Sequence, residues 1–430
     1  MNGTRVRLVF VLSLLLALSA CAERTLAPDS TDGPGRDVRT HEIGGQYVEP
    51  GPPTLPSSVP NQLVAEVADG WTAELIADTW NMSVLDSIEG TSFALMYYDP
   101  SQYSYSYLAQ VLISTGACVT CNRNFRLEVP EAQQGSIAFY EGNLVRSDLE
   151  DQEALARIHA PEAQAVEDGS GVVVAIVDTG IDGTHPDLGP RLTAGWDFVD
   201  NDADATDETD GIDQDGDSLV DEAAGHGTHV AGIVQSVAPG VTLMPVRVLD
   251  TEGRGTAFNV ARGIHWARLH GADVINLSLG FDGFSRPIEH VIESARAAGV
   301  TVTAAAGNAG QFTMNHFPAL LPEVLAVASV DPVDLKSSFS NFGLNIDLGA
   351  PGEGIVSTYL FQGYAVWSGT SMATPFVSGA AAIAIEAGAT SPGSVRGALL
   401  NAAAPYAHDG LYYEGLLGAG RLDLLPLVAP

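Results

Sequence analysis

The sequence predicts an α/β domain built on a parallel sheet, with a small α+β domain ahead of it. Two patterns carry this. From residue 172 onward, near-continuous apolar runs alternate with stretches of helical period, as strands buried on both faces and their crossover helices do. Over 61–130 the strand and helix patterns are shorter and follow the order βαββαβ, that of a ferredoxin-like split-βαβ unit.

In the first region the alternation at 62–67 reads as a strand, 72–80 as a helix, 84–88 and 93–98 as strands, 105–114 as a helix and 124–129 as a strand. In the second, strands fall at 172–178, 243–249, 274–279, 300–306 and 325–330, with helices at 226–237, 258–269 and 287–298. An Ala-rich apolar run at 376–385 reads as a buried helix, with Pro375 in its first turn, where the missing N–H does no harm.

The chain begins with Arg5 and Arg7, an apolar run over 8–17, and Leu18-Ser19-Ala20-Cys21. A basic segment, a short apolar core and small residues make 1–20 a secretory signal, too short to span a bilayer. Cys21 directly after Leu-Ser-Ala resembles a bacterial lipobox, in which that Cys is lipidated and becomes the mature N-terminus. The alternative is an ordinary signal peptide with an incidental Cys. Ala22 after the Cys would favour the outer membrane in a diderm. Residues 21–60, rich in Pro, Gly, Asp and Thr, read as a flexible tether.

Charge and cysteine content narrow the function. There are 19 basic and 53 acidic residues, a formal net charge of −34, so nucleic acid and anionic membrane are both repelled. Only a lipid on Cys21 would tie the chain to a membrane. Of three cysteines, Cys118 and Cys121 form Cys-Val-Thr-Cys, with no His at zinc-ligand spacing nearby. A local disulfide and two reduced thiols both remain open.

Three motifs concentrate the chemistry. An apolar strand ends in Asp178, Gly225-His226-Gly227-Thr228-His229 opens an amphipathic helix, and Gly369-Thr370-Ser371-Met372-Ala373 leads into the buried one. Serine catalysis needs a base to take the hydroxyl proton and a buried carboxylate to orient that base. Asp178 also falls at the carboxyl end of a strand, where open parallel sheets bind their ligands. The order Asp178, His226, Ser371 and all three motifs resemble those of the subtilisin-like (subtilase) serine proteases, over roughly residues 150–425.

That resemblance implies further roles. It makes Asn308, in Ala306-Gly307-Asn308, the donor to the oxyanion of the tetrahedral intermediate. It makes Gly253, Arg254 and Gly255, with Ser278, Leu279 and Gly280, the two segments that flank an extended substrate as added strands. His316 sits where a Gly often lines the pocket for the residue before the cut, and would narrow it. Residues 61–130 look like a propeptide, a folding template whose tail fills the cleft until it is cut within 131–150, leaving 151–430 as the catalytic domain. The alternative is an unrelated α+β module. Protein or peptide substrates, the chain's own propeptide and a monomeric state follow from the same likeness.

Calcium is expected in an acidic insertion between Asp178 and His226. Twelve carboxylates lie from Asp197 to Glu222, with no Lys or Arg among them. Asp213, Asp215, Asp217 and Asp221 surround a Gly and supply the hard oxygens calcium needs; a solvated acidic loop is the plain alternative. Asp187 matches a calcium ligand of many relatives, but 233–243 is too short for their calcium loop. The expected protein is therefore an exported, lipid-anchored serine endopeptidase made as a self-processing zymogen, possessing structural calcium and released from the envelope on processing. A catalytically silent calcium-binding protein on the same scaffold is the other reading.

Overall fold

The structure, a computed structural model, describes residues 57–131, 144–214, 218–313, 315–406, 413 and 415–429. The signal, Cys21, the tether up to residue 56, Asp215 and Asp217 lie outside the described residues, and the expected end of the tether at 60 is corrected because β1 already starts at Ser58. No helix among the described residues is long and apolar enough to cross a membrane.

The first region follows the expected order: β1 (Ser58–Val67), α1 (Ala73–Trp80), β2 (Ser83–Ser87), β3 (Phe93–Tyr97), α2 (Tyr105–Ser114) and β4 (Cys118–Glu128). Thr72 and Ser104 cap the two helices, accepting from Leu75 N and Tyr107 N. The strands pair antiparallel in the order β2-β3-β1-β4. Leu63, Ala65, Ile76, Met96, Leu108 and Leu112 fill the space between one sheet face and the helices. Because strand side chains alternate, the other face carries Val64, Phe93 and Leu127, which join a second core with Phe258 and Val291.

Three short helices, α3 (Arg146–Glu150), α4 (Glu153–Arg157) and α5 (Ala160–Gln164), lead into the parallel sheet. Its strands are β5 (Val173–Asp178), β6 (Trp196–Asp197), β7 (Thr242–Arg247), β9 (Val274–Leu277), β11 (Thr301–Ala305), β13 (Val324–Val330) and β14 (Leu348–Pro351). The order is β14-β13-β11-β9-β5-β7-β6, every pair parallel. The two edge strands were not expected, since two residues show no period and Gly349 and Pro351 interrupt the other. Helices α6 (His226–Val237), α7 (Ala257–Leu269), α8 (Arg286–Ala297), α9 (Thr370–Glu386) and α10 (Pro392–Ala402) complete the α/β layers.

Short pairs edge the site: β8 (Arg254–Thr256) extends the first sheet beyond β4, β10 (Phe281–Asp282) pairs with β12 (His316–Phe317), and β15 (Ile355–Tyr359) pairs with β16 (Gly363–Trp367).

Two expectations are corrected. Helix α9 starts at Thr370, so Pro375 lies in its interior and not in its first turn. Its missing N–H frees the carbonyl of Ser371 four residues back, and Ser278 Oγ donates to that oxygen at 2.8 Å. The stretch 131–150 is not linker at either end, because Glu131 is fully buried and α3 spans Arg146–Glu150.

Candidate active site

The four chemistry-bearing residues come from four separate segments and meet at the carboxyl end of the parallel sheet. Asp178 ends β5, and its Oδ1 accepts from the ring of His226, Nδ1 to Oδ1 being 2.7 Å. The same oxygen accepts from Thr179 N at 2.8 Å. His226 is the first residue of α6, with the ring of Trp367 edge-on at 5.2 Å. One turn on, burial holds His229 down to a pKa of about 3, so it stays neutral beside the Ala365 carbonyl.

Asn308 follows β11, and its Oδ1 accepts from Thr370 N (2.9 Å) and Thr370 Oγ1 (2.8 Å). Those two bonds fix which way the amide points, so Nδ2 is left as the donor of the side chain. Ser371, in the first turn of α9, lies 3.2 Å from the Ser278 carbonyl oxygen. Asp178, His226 and Ser371 are fully buried.

Between them sits a residue the sequence reading missed. Ser371 Oγ donates to Glu131 Oε2 at 2.6 Å, and Asn308 Nδ2 donates to Glu131 Oε1 at 2.9 Å. His226 Nε2 is 3.4 Å from Oε2 and makes no hydrogen bond. One carboxylate thus spans the hydroxyl and the amide, and the hydroxyl donates to it in place of the imidazole. Burial opposes a charge on His226, but Asp178 and then Glu131 outweigh it and raise its pKa to about 10.

The chain reaches this point as a strand. Leu127 and Glu128 pair with Gly255 and Arg254, Val129 N donates to the Gly253 carbonyl at 2.9 Å, and Glu128 bridges Gly280. Gly253, Arg254, Gly255 and Gly280 therefore flank residues 127–129, with Arg254 Nε 3.6 Å from Glu128 Oε1. Leu279 turns into the core. His316 is 3% exposed, with Nδ1 at 3.2 Å from Asp282 Oδ1 and no partner on Nε2. It fills the slot between Gly280 and Gly307: a Cβ on either would meet its ring at 2.5 or 2.8 Å.

The acidic insertion gives less. Among the described residues no three metal-ligating side chains converge. Asp213 accepts from Ser218 N, and Asp221 from the amides of Asp210 and Gly211; both offer the hard oxygens calcium takes. Asp187 is already engaged, its oxygens meeting Arg146 Nη1 at 2.8 Å and the Tyr364 hydroxyl at 2.5 Å. A guanidinium from α3 stands where the family likeness would put a metal.

The subtilase family profile matches residues 169–420. Thermitase of Thermoactinomyces vulgaris is 42% identical over 267 residues, which is 60% of this chain and 90% of that protein. Subtilisin BL of Lederbergia lenta is 39% identical over 276 residues, 62% of this chain and 96% of its own length. Among solved structures, a cold-adapted subtilisin-like serine proteinase matches 60% of this chain and 90% of its own at 36% identity, TM-score 0.53. A protease from Pseudoalteromonas arctica matches 65% and 97% at 31% identity, TM-score 0.61.

The His226 shift has a measurable sign. Its folded pKa, about 10, lies above the ordinary 6.5, so protonation favours the fold. That stabilisation is complete below pH 6.5 and is lost as pH rises through about 10. In the Ser371→Ala chain the denaturant midpoint should fall between pH 7 and 10, and fall less when His226→Gln is added. Equal slopes in the two proteins would remove His226 from this account.

Proposed function

The chain belongs to the subtilase family of serine endopeptidases, and we propose that it cuts peptide bonds with Asp178, His226, Ser371 and Asn308 after removing its own N-terminal region. The carrying observation is that Ser371 Oγ and Asn308 Nδ2 hold the two oxygens of one carboxylate. A scissile carbonyl in that place has the nucleophile on its carbon and the amide on its oxygen. With Glu131 gone, His226 Nε2 takes the Ser371 proton as Oγ attacks, while Asp178 holds Nδ1–H and offsets the imidazolium. Asn308 donates to the oxyanion. His226 then passes the proton to the leaving amine, and water repeats the steps on the acyl-enzyme.

Glu131 supports the zymogen part of the reading. It blocks the hydroxyl and the oxyanion donor together, and adds to the larger effect of Asp178 in raising the pKa of His226. Residues 127–129, held between Gly253–Gly255 and Gly280, give the path of an extended protein substrate. The silent-scaffold alternative leaves the four converging groups without a use. Export and the lipid on Cys21 rest on the signal-like start alone; cutting within 131–150 would release a monomeric catalytic domain from that anchor. Ser371→Ala should abolish activity, by about a millionfold, and leave the chain full length. Asn308→Ala should lower kcat by roughly a hundred- to a thousandfold with KM little changed. Normal turnover in either variant sinks the assignment.

His316 sets the preference at P1, the residue before the cut. That side chain must pass between Gly280, beside the bound strand, and Gly307, next to Asn308. The imidazole already occupies the slot, so small P1 residues fit best. Wild-type kcat/KM should favour Ala over Phe at P1 by about tenfold or more, a scale typical of pocket size, and His316→Gly should reverse the order. A wild-type preference for Phe would contradict this.

Calcium in the insertion rests on its oxygen-rich chemistry. Bound only by the folded chain, it would stabilise by about 2.7 kcal/mol at a hundredfold excess over Kd. Added to chelated Ser371→Ala protein, calcium should raise Tm, and do so less in an Asp213→Asn/Asp215→Asn/Asp217→Asn variant. An equal rise in both excludes the insertion as the site.

A further inference from the structure

The acidic insertion carries one carboxylate that does not face solvent. Asp207 is 3% exposed. Its Oδ1 accepts from Gly225 N at 3.0 Å, and its Oδ2 from Thr228 N at 3.0 Å and Thr228 Oγ1 at 2.7 Å. Gly225 is the N-cap of α6 and offers no side chain for capping. The first N–H groups of a helix need partners from outside it, and each of these has one. Gly225 and Thr228 use Asp207, His226 N donates to the Ala223 carbonyl at 2.9 Å, and Gly227 N donates to Thr179 Oγ1 at 2.9 Å.

The segment around Asp207 is also fixed to the other arm of the pair. Ile181 N donates to the Ala205 carbonyl at 3.1 Å, three residues beyond Asp178. Thr228 Oγ1, which donates to Asp207, accepts from Asp182 N at 2.9 Å. The contact is close: a Cβ on Gly180 would fall 2.7 Å from the Ala205 oxygen and 2.8 Å from Asp207 N. Asp207 thus stands between the strand end bearing Asp178 and the helix start bearing His226. The helix end favours a negative group there, while burial pushes the pKa of Asp207 up to about 7.

We propose that Asp207 is a positioning residue for catalysis: it holds the first turn of α6 against the Asp178 turn, and so sets the Asp178–His226 hydrogen bond. The insertion then serves the reaction through this one side chain, whether or not its outer loop takes a metal. The inference rests on the reading of Asp178, His226 and Ser371 as the catalytic groups. Its effect is on how fast the bound substrate reacts, since its side-chain hydrogen bonds go to Gly225 and Thr228 and not to the residues that flank 127–129.

The test compares wild type, Asp207→Ala and Asp207→Asn, each made as the full chain and allowed to mature, with the uncut Ser371→Ala chain as the inactive control, all well below the Tm of each. Asp207→Ala should lower kcat tenfold or more with KM within twofold. Ser371 labelling by a fluorophosphonate should slow in the same ratio. Asp207→Asn keeps the shape and one acceptor oxygen, so its loss should be smaller, and it serves alone if the Ala variant does not fold. If Tm falls but kcat and labelling stay at wild-type values, Asp207 is structural only and the proposal fails. If Ser371→Ala keeps its activity, the catalytic reading itself has failed, a separate result.

Discussion

The active centre depends on one hydrogen bond, 2.7 Å long, between the end of a strand and the start of a helix 48 residues later. A buried carboxylate and a buried imidazole are each costly to desolvate alone, and their mutual bond offsets much of that cost. The parallel sheet makes the meeting possible. It brings the carboxyl ends of β5 and β11 to the same end of the sheet, with β9 between them, and the first residues of α6 and α9 bond to the turns that follow those strands. Pro375 illustrates how closely this is adjusted: it frees the carbonyl of Ser371, and Ser278, from the strand segment beside the cleft, donates to it.

In the proposed zymogen reading, Glu131 would keep the same centre silent before processing. A carboxylate carries two oxygens at about the spacing of a reacting carbonyl oxygen and its attacking group. Glu131 occupies the nucleophile and the amide donor together through hydrogen bonds, without presenting a bond that can be cut. Its proximity also helps keep His226 charged. The hold on the first region is partly electrostatic, through Glu128–Arg254, Asp86–Arg262 and Glu66–Arg286. These pairs draw on the few basic groups of a strongly acidic chain.

Much of this was legible in the sequence. The apolar runs located the five inner strands because strands buried on both faces need no alternation, and Asp178, His226, Asn308 and Ser371 came from local motifs. The edge strands were not legible, being too short or broken by Gly and Pro. Glu131 was missed for a different reason. That a tail would fill the cleft was expected, but which residue faces Ser371 depends on the β4–β8 register, which no local pattern encodes. Asp207 looked like one more acid in a run of twelve until its burial singled it out. Arg146 at Asp187 likewise joins residues 41 positions apart, a pairing only the fold sets.

The most direct test of the account is whether Ser371 is shielded in the uncut chain. Wild-type and Glu131→Ala chains would be exposed to a fluorophosphonate during maturation and separated by mass. In the wild type, label should appear in the shortened product and not in the full-length chain; in Glu131→Ala the full-length chain should label as well. Rapid labelling of the full-length wild-type chain would contradict the account.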